Sequence, residues 1–140
     1  MATRKWVVIP ILLIFLFLLA RCAFLATSEQ DAIIRITARR LASHGAKSFP
    51  VIFAELAITA RDACNRPGET MAPSDAFQVI ANTVISKLDD RLLAADLKDL
   101  AALLGIRLDP GAKLLGLTKE QQRLVKIAVC SFAEGVELYP

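Results

Sequence analysis

The order of apolar and polar residues divides the chain into two parts. Residues 6–20 carry no charged side chain, whereas further along the chain apolar residues recur at helical spacing among polar ones. With a rise of about 1.5 Å per residue, residues 6–26 form a helix of about 31 Å, which matches the ~30 Å hydrocarbon core of a bilayer. We therefore predict a membrane anchor over residues 1–26, as a transmembrane helix or uncleaved signal-anchor, and a helical domain over residues 27–140.

The ends of the apolar segment leave three interpretations open. As a span, the segment places Trp6 at one membrane interface and lets Arg21 reach the headgroups at the other. As a lipoprotein signal, the residues that end at Cys22 resemble a bacterial lipobox with Cys22 as the lipidated residue, although a large cation before the cysteine departs from that pattern. As a cleaved signal peptide, the segment has a poor cleavage site, because bulky Phe24 lies three residues before a cut after Ala26.

The remaining chain predicts an all-α fold, a bundle of about five helices. Apolar residues recur three and four positions apart, most regularly from Phe77 to Leu88, and no long stretch alternates in the manner of a strand. Ser28 and Ser74 are expected to cap two of the helices. The predicted helices cover residues 28–45, 50–65, 74–88, 96–104 and 118–135.

Glycines and caps set the expected helix ends. Gly45, Gly105 and Gly135 follow apolar stretches, and glycine is the residue that most often ends a helix. Thr118 and Gln121 have the spacing of a capping box at the start of the last helix. The core of the first soluble helix is expected along Ile34, Ala38, Leu41 and Ala42.

Splitting the charges between the two parts changes the meaning of the net charge of +3. Three of the 17 Lys and Arg residues precede residue 27, and all 14 Asp and Glu residues follow it, so residues 27–140 carry 14 of each sign. A nucleic-acid-binding domain is expected to have a basic excess. The expected partners are therefore membrane lipid and other protein subunits, which include further copies of the chain, and not nucleic acid.

A basic cluster is the most suggestive polar feature. It consists of Arg35, Arg39, Arg40 and Lys47, just beyond the apolar segment. These cations are expected to touch anionic headgroups or an acidic patch on a partner protein. The alternative is a solvated helix face.

The cysteines and the N-terminal charges bear on the compartment. Cys64 and Cys130 lack zinc-site spacing and are expected to form one disulfide in an oxidising compartment, or else to stay as two buried thiols. Arg4 and Lys5 favour a cytoplasmic N-terminus. We therefore expect the protein to be anchored in the inner membrane with its C-terminal domain in the periplasm.

No constellation of catalytic residues is visible. His44 is the only histidine, and nothing near it resembles a nucleophile motif. Asp89 and Asp90 are adjacent and diverge on a helix, and Asp96 and Asp99 suit the first turn of a helix. The sequence therefore predicts no enzyme activity, no cofactor and no metal.

The absence of such motifs and the expected anchor together favour a structural role. The function we expect is that of a non-enzymatic structural or assembly subunit of an envelope or membrane complex, which acts by protein–protein contact. Two alternatives stay open: a phage-type lysis or virion-associated protein of the holin kind, and a lipidated periplasmic binding or immunity protein.

Overall fold

A computed structural model describes residues 2–66, 71–108, 114 and 116–138, and within them the side chains of residues 7–19 and of residues from 29 onward. No strand occurs among these residues, and the predicted all-α fold is confirmed. The described residues form five α-helices and one π-helical segment: α1 Ala2–Ser48, α2 Pro50–Asn65, α3 Pro73–Asn82, the π-helical segment Thr83–Lys87, α4 Arg91–Leu103 and α5 Lys119–Glu137.

The chain divides into two compact units, Met1–Ala32 and Ile33–Pro140. The first is called the N-terminal unit and the second the bundle. In the N-terminal unit the large apolar side chains from Val7 to Leu19 are each between 51% and 63% exposed. Among the described residues, none of the helices contains an apolar stretch long enough to cross a membrane. The side chains of Trp6, Arg21 and Cys22 lie outside the described part, so the predictions made for them stay predictions.

In the described part of the bundle, the buried apolar side chains form one core, to which each helix contributes. The stripe predicted for α1 is fully buried, and the stripes of α2, α3 and α5 are buried apart from Ile52 and Ile85, which are partly buried against the core. The rings of Phe53 in α2 and Phe132 in α5 lie at its centre, with their centroids 5.7 Å apart. Each fully buried large side chain contributes about 1.5–3 kcal/mol, so this core can hold the bundle together in water.

Two glycines that were predicted to end helices lie inside them instead. α1 continues past Gly45, and the Phe49 amide donates to the Gly45 carbonyl over 2.7 Å. α5 continues past Gly135 to Glu137. Both glycines are buried where another part of the bundle comes too close for a side chain. The prediction was wrong because a glycine that ends a helix and a glycine that admits a neighbour look the same in sequence.

Three helices, α1, α3 and α4, also differ from the prediction in where they begin. α1 has no break at Ser28, and α3 begins at Pro73 rather than after a Ser74 cap, because the fixed φ of proline suits the first helical position. α4 begins at Arg91, where the Asp90 carboxylate accepts hydrogen bonds from the Leu92 and Leu93 amides over 3.0 and 3.1 Å.

The helix predicted to reach Leu88 changes type before its end. The α-helix stops at Asn82, and the next turn is a π-helix in which the Leu88 amide donates to the Thr83 carbonyl. The Thr83 hydroxyl donates to the Val79 carbonyl over 2.8 Å, a side-chain bond that often bends helices. Widening the turn leaves Val84 and Leu88 buried, so the predicted core residues keep their place.

Two predicted boundary motifs are confirmed. Thr118 and Gln121 form a complete capping box, with hydrogen bonds of 3.0 and 3.1 Å between each side chain and the other residue's amide. Gly105 has a φ of 69°, and the Gly105 and Ile106 amides donate to the Ala102 and Ala101 carbonyls. These are the two hydrogen bonds of a Schellman motif, which glycine completes without steric cost.

Candidate interaction surfaces

A disulfide joins the two helices that carry the central rings. Cys64 lies in the last turn of α2 and Cys130 in the middle of α5, with their Cα atoms 5.4 Å apart and both side chains partly buried. At the C-terminal end of α5, Glu137 forms an ion pair with Arg61 of α2. The α2–α5 pair is thus tied both covalently and by the core, so it can present its outer surface as a rigid platform.

The predicted basic cluster is divided between different sides of α1. Arg35 and Arg39 line a cleft of about 400 Å³ against α5, where Arg39 pairs with Glu134 over 2.7 Å. At a rotation of about 100° per residue, Arg40 lies about 140° round the helix from Arg35 and about 100° from Arg39. Lys47 is exposed near the C-terminal end of α1. The four cations therefore do not form one surface.

Arg40 faces α4 in a separate cleft of about 440 Å³, which Asp96 and Asp99 also line. These two carboxylates were predicted to open a helix, but they lie inside α4 and one turn apart. Among the described residues, no three His, Cys, Asp or Glu side chains come together in a group able to hold a metal ion. The charged side chains that line the cleft are thus two acids and one cation.

Three cations of α5 form, together with Arg35, a basic surface that the sequence pattern did not predict. Lys119, Arg123 and Lys126 of α5 line a cleft of about 460 Å³ with the start of α3. Lys126 also lines the cleft of Arg35 and Arg39. The spacing of 119, 123 and 126 places these side chains on one face of a helix, so periodicity alone could have grouped them. Only the packing of α5 on α1 adds Arg35.

Exposed apolar residues occur on two helices of the bundle. Val51 and Ile58 of α2 are 72% and 59% exposed, and their spacing of seven residues places them on one side of the helix. The exposed Ala54 lies between them. On α1, Ile33 and Ile36 are also about half exposed. Such residues are typical of helix faces that pack against another helix.

The remaining candidate residues bring no reactive group into a shared site. His44 is exposed on α1, and Asp89 is exposed before α4, where its neighbour Asp90 caps the helix. What the described surface offers is therefore an apolar helix, a basic surface and a rigid platform for contact. Comparison of the chain with protein-family models, with curated proteins and with solved structures gives no match.

Proposed function

We propose that this protein is a non-enzymatic structural or assembly subunit of an envelope or membrane-associated complex. In this proposal the segment over residues 1–26 anchors the chain in a membrane, and the bundle acts by contact with other proteins. The observation that carries the proposal is the row of exposed apolar side chains from Val7 to Leu19.

The energetics of that row favour a lipid environment. It contains twelve large apolar side chains, each more than half exposed. Complete burial of such a side chain is worth about 1.5–3 kcal/mol, so covering the row is worth on the order of 10 kcal/mol. Because apolar side chains surround the helix on all sides, a second helix would cover only part of the row, whereas a bilayer covers all of it.

The disulfide and the N-terminal charges support one orientation. Disulfides persist in oxidising compartments such as the periplasm and are rare in the cytosol. Arg4 and Lys5 precede the apolar segment and favour a cytoplasmic N-terminus. With the segment in the inner membrane, the Cys64–Cys130 disulfide then lies in the periplasm, where it can form.

The outer face of α2 is the partner surface in this proposal. Val51 and Ile58 lie on a helix that the disulfide holds to α5, so binding there would order little additional chain. Binding loses less free energy when the surface is already ordered. No chemistry is required of the bundle, since contact alone performs the role.

Purification of the full chain from detergent-solubilised membranes, followed by mass spectrometry of the proteins that co-purify, tests the proposal. We expect one or more membrane or envelope proteins in constant ratio. Their amount should fall strongly in a Val51→Asp/Ile58→Asp variant, whereas the matched variant Leu92→Asp/Leu138→Asp, which places the same charges at exposed apolar residues outside α2, should retain them. A chain that purifies alone would contradict the assembly role, and large homo-oligomers with death of the expressing cells would favour the holin-like alternative.

A further inference from the structure

We infer that the bundle binds anionic phospholipid headgroups through a basic surface formed by Arg35, Lys119, Arg123 and Lys126, which we call the basic end. The inference rests on the proposed membrane anchoring and deepens it, because it states which part of the bundle meets the bilayer. It replaces the sequence-predicted group of Arg35, Arg39, Arg40 and Lys47, which the structure does not bring to one surface.

The direction of α5 places the basic end where the chain enters the bundle. Arg35 of α1 lines a cleft with Lys126 of α5, and further along both helices the Ser43 hydroxyl donates to the Gly135 carbonyl. Residue numbers therefore rise together along the two helices, so that α5 runs parallel to residues 33–48. The start of α5, which carries Lys119 and Arg123, thus lies at the same end of the bundle as Ile33.

The cations of this end are close enough to act together. Lys126 lines one cleft with Lys119 and Arg123 and another with Arg35. Arg123 pairs with Glu120 over 2.6 Å, whereas Arg35, Lys119 and Lys126 form no ion pair within the part of the chain that the structure describes. All four side chains are exposed. The surface therefore has cationic charge beyond what its acids neutralise.

The location of other acids sharpens this asymmetry. Residues 27–140 are neutral as a whole, so an excess of cations at one end requires an excess of acids elsewhere. Four acids, Asp89, Asp90, Asp96 and Asp99, lie before and along α4, together with the cations Arg91 and Lys98 of that helix. Near the basic end, Asp75 lies in the first turn of α3 and Glu120 pairs with Arg123, while Glu134 lines the cleft of Arg35 and Lys126 and pairs with Arg39.

The short connection between the proposed anchor and the bundle favours a lipid headgroup over another anionic ligand. Ile33 follows the proposed anchor within a few residues, so the basic end would be held near the bilayer surface. Electrostatic attraction acts over about 8 Å at physiological ionic strength, which favours the charges nearest the membrane. Each cation near an anionic membrane surface raises the affinity of the protein for that membrane about fivefold.

Lysine acylation of the full chain in vesicles tests the inference. The chain is reconstituted into phosphatidylcholine vesicles and into mixed phosphatidylcholine–phosphatidylglycerol vesicles, and the rate at each lysine is followed by mass spectrometry with a water-soluble reagent. We expect Lys119 and Lys126 to react several-fold more slowly in the anionic vesicles. Lys47 at the opposite end of the same part of α1, and Lys87 in the π-helical segment, are the controls and should not change.

Three further arms separate the causes. High salt should restore the rates at Lys119 and Lys126, and an Arg35→Glu variant should lose protection at Lys126 while the matched Arg91→Glu variant keeps it. Equal rates in both kinds of vesicle, with the chain still floating with them, would overturn the headgroup inference alone. Protection by inorganic phosphate in neutral vesicles would overturn it in favour of a phosphate site, and a chain that floats with neither vesicle would overturn the proposed function and the inference together.

Discussion

The N-terminal unit and the bundle are both helical and both rich in apolar residues, yet they use those residues in opposite ways. From Val7 to Leu19 the apolar side chains surround the helix and remain exposed, whereas in the bundle they form stripes that are almost fully buried. A helix with one apolar stripe can be covered by its neighbours, but a helix that is apolar all round needs a non-aqueous environment. The arrangement of apolar residues, and not their number, separates the two behaviours.

The largest effect is expected when the apolar row is interrupted. A Leu12→Arg/Leu16→Arg variant places two cations in the segment proposed to lie in the membrane, at a cost of about 2.5–3.5 kcal/mol each near a bilayer centre. The variant should move from the membrane pellet to the supernatant after ultracentrifugation of lysed cells. A Val51→Arg/Ile58→Arg variant, with the same charges on the bundle, should stay in the pellet, and equal partitioning of the two would refute the anchor.

The next largest effect is expected when the disulfide is removed, and only the stability of the bundle should change. Cys64 and Cys130 are separated by 66 residues, and closing a loop of that length stabilises the folded state by about 4 kcal/mol in the chain-entropy model. A Cys64→Ser/Cys130→Ser variant should lose about that much free energy of unfolding in denaturant titrations while still pelleting with membranes. Reducing agent should destabilise the wild-type chain by a similar amount and leave the variant unchanged. If neither the substitutions nor the reducing agent changed the free energy of unfolding, the Cys64–Cys130 disulfide would be contradicted.

The two buried glycines test how closely the bundle is packed. A Cβ at Gly45 would overlap the Phe53 ring, and one at Gly135 would lie 2.6 Å from the Arg39 carbonyl oxygen. Each Gly→Ala variant should lower the free energy of unfolding by about 1–3 kcal/mol, despite the better helix propensity of alanine.

A second substitution provides the control for Gly45. In a Phe53→Leu background the smaller side chain leaves room, so the added cost of Gly45→Ala should shrink to well under half, as measured by a double-mutant cycle in denaturant. An unchanged cost would mean that the clash with the Phe53 ring is not the cause.

The smallest effect is expected at the ion pair between α1 and α5. The side chains of Arg39 and Glu134 are 44% and 57% exposed, and ion pairs at such positions are worth about 0–1 kcal/mol. An Arg39→Met variant keeps most of the aliphatic contact and should change the unfolding free energy by less than about 1 kcal/mol. A loss as large as that of the disulfide variant would show that this pair, rather than the core, holds α5 to α1.

Features set by short-range interactions could be predicted from the sequence. The apolar stripes of α1, α2, α3 and α5 follow from helical periodicity, and the capping box at Thr118 and the Gly105 turn follow from hydrogen bonds between residues a few positions apart. These signals lie within one or two turns of the chain, so no knowledge of the packing is needed to read them.

What tertiary structure decided depends on residues far apart in the chain. The same residue type, glycine, ends a helix at residue 105 but admits another part of the bundle at Gly45 and Gly135, and only the neighbours Phe53 and Arg39 distinguish these cases. Helix geometry already separates Arg40 from Arg35, but only packing brings Arg35 together with Lys126. Helical periodicity fixes the face on which a residue lies, whereas the element opposite that face is set by the arrangement of the whole bundle.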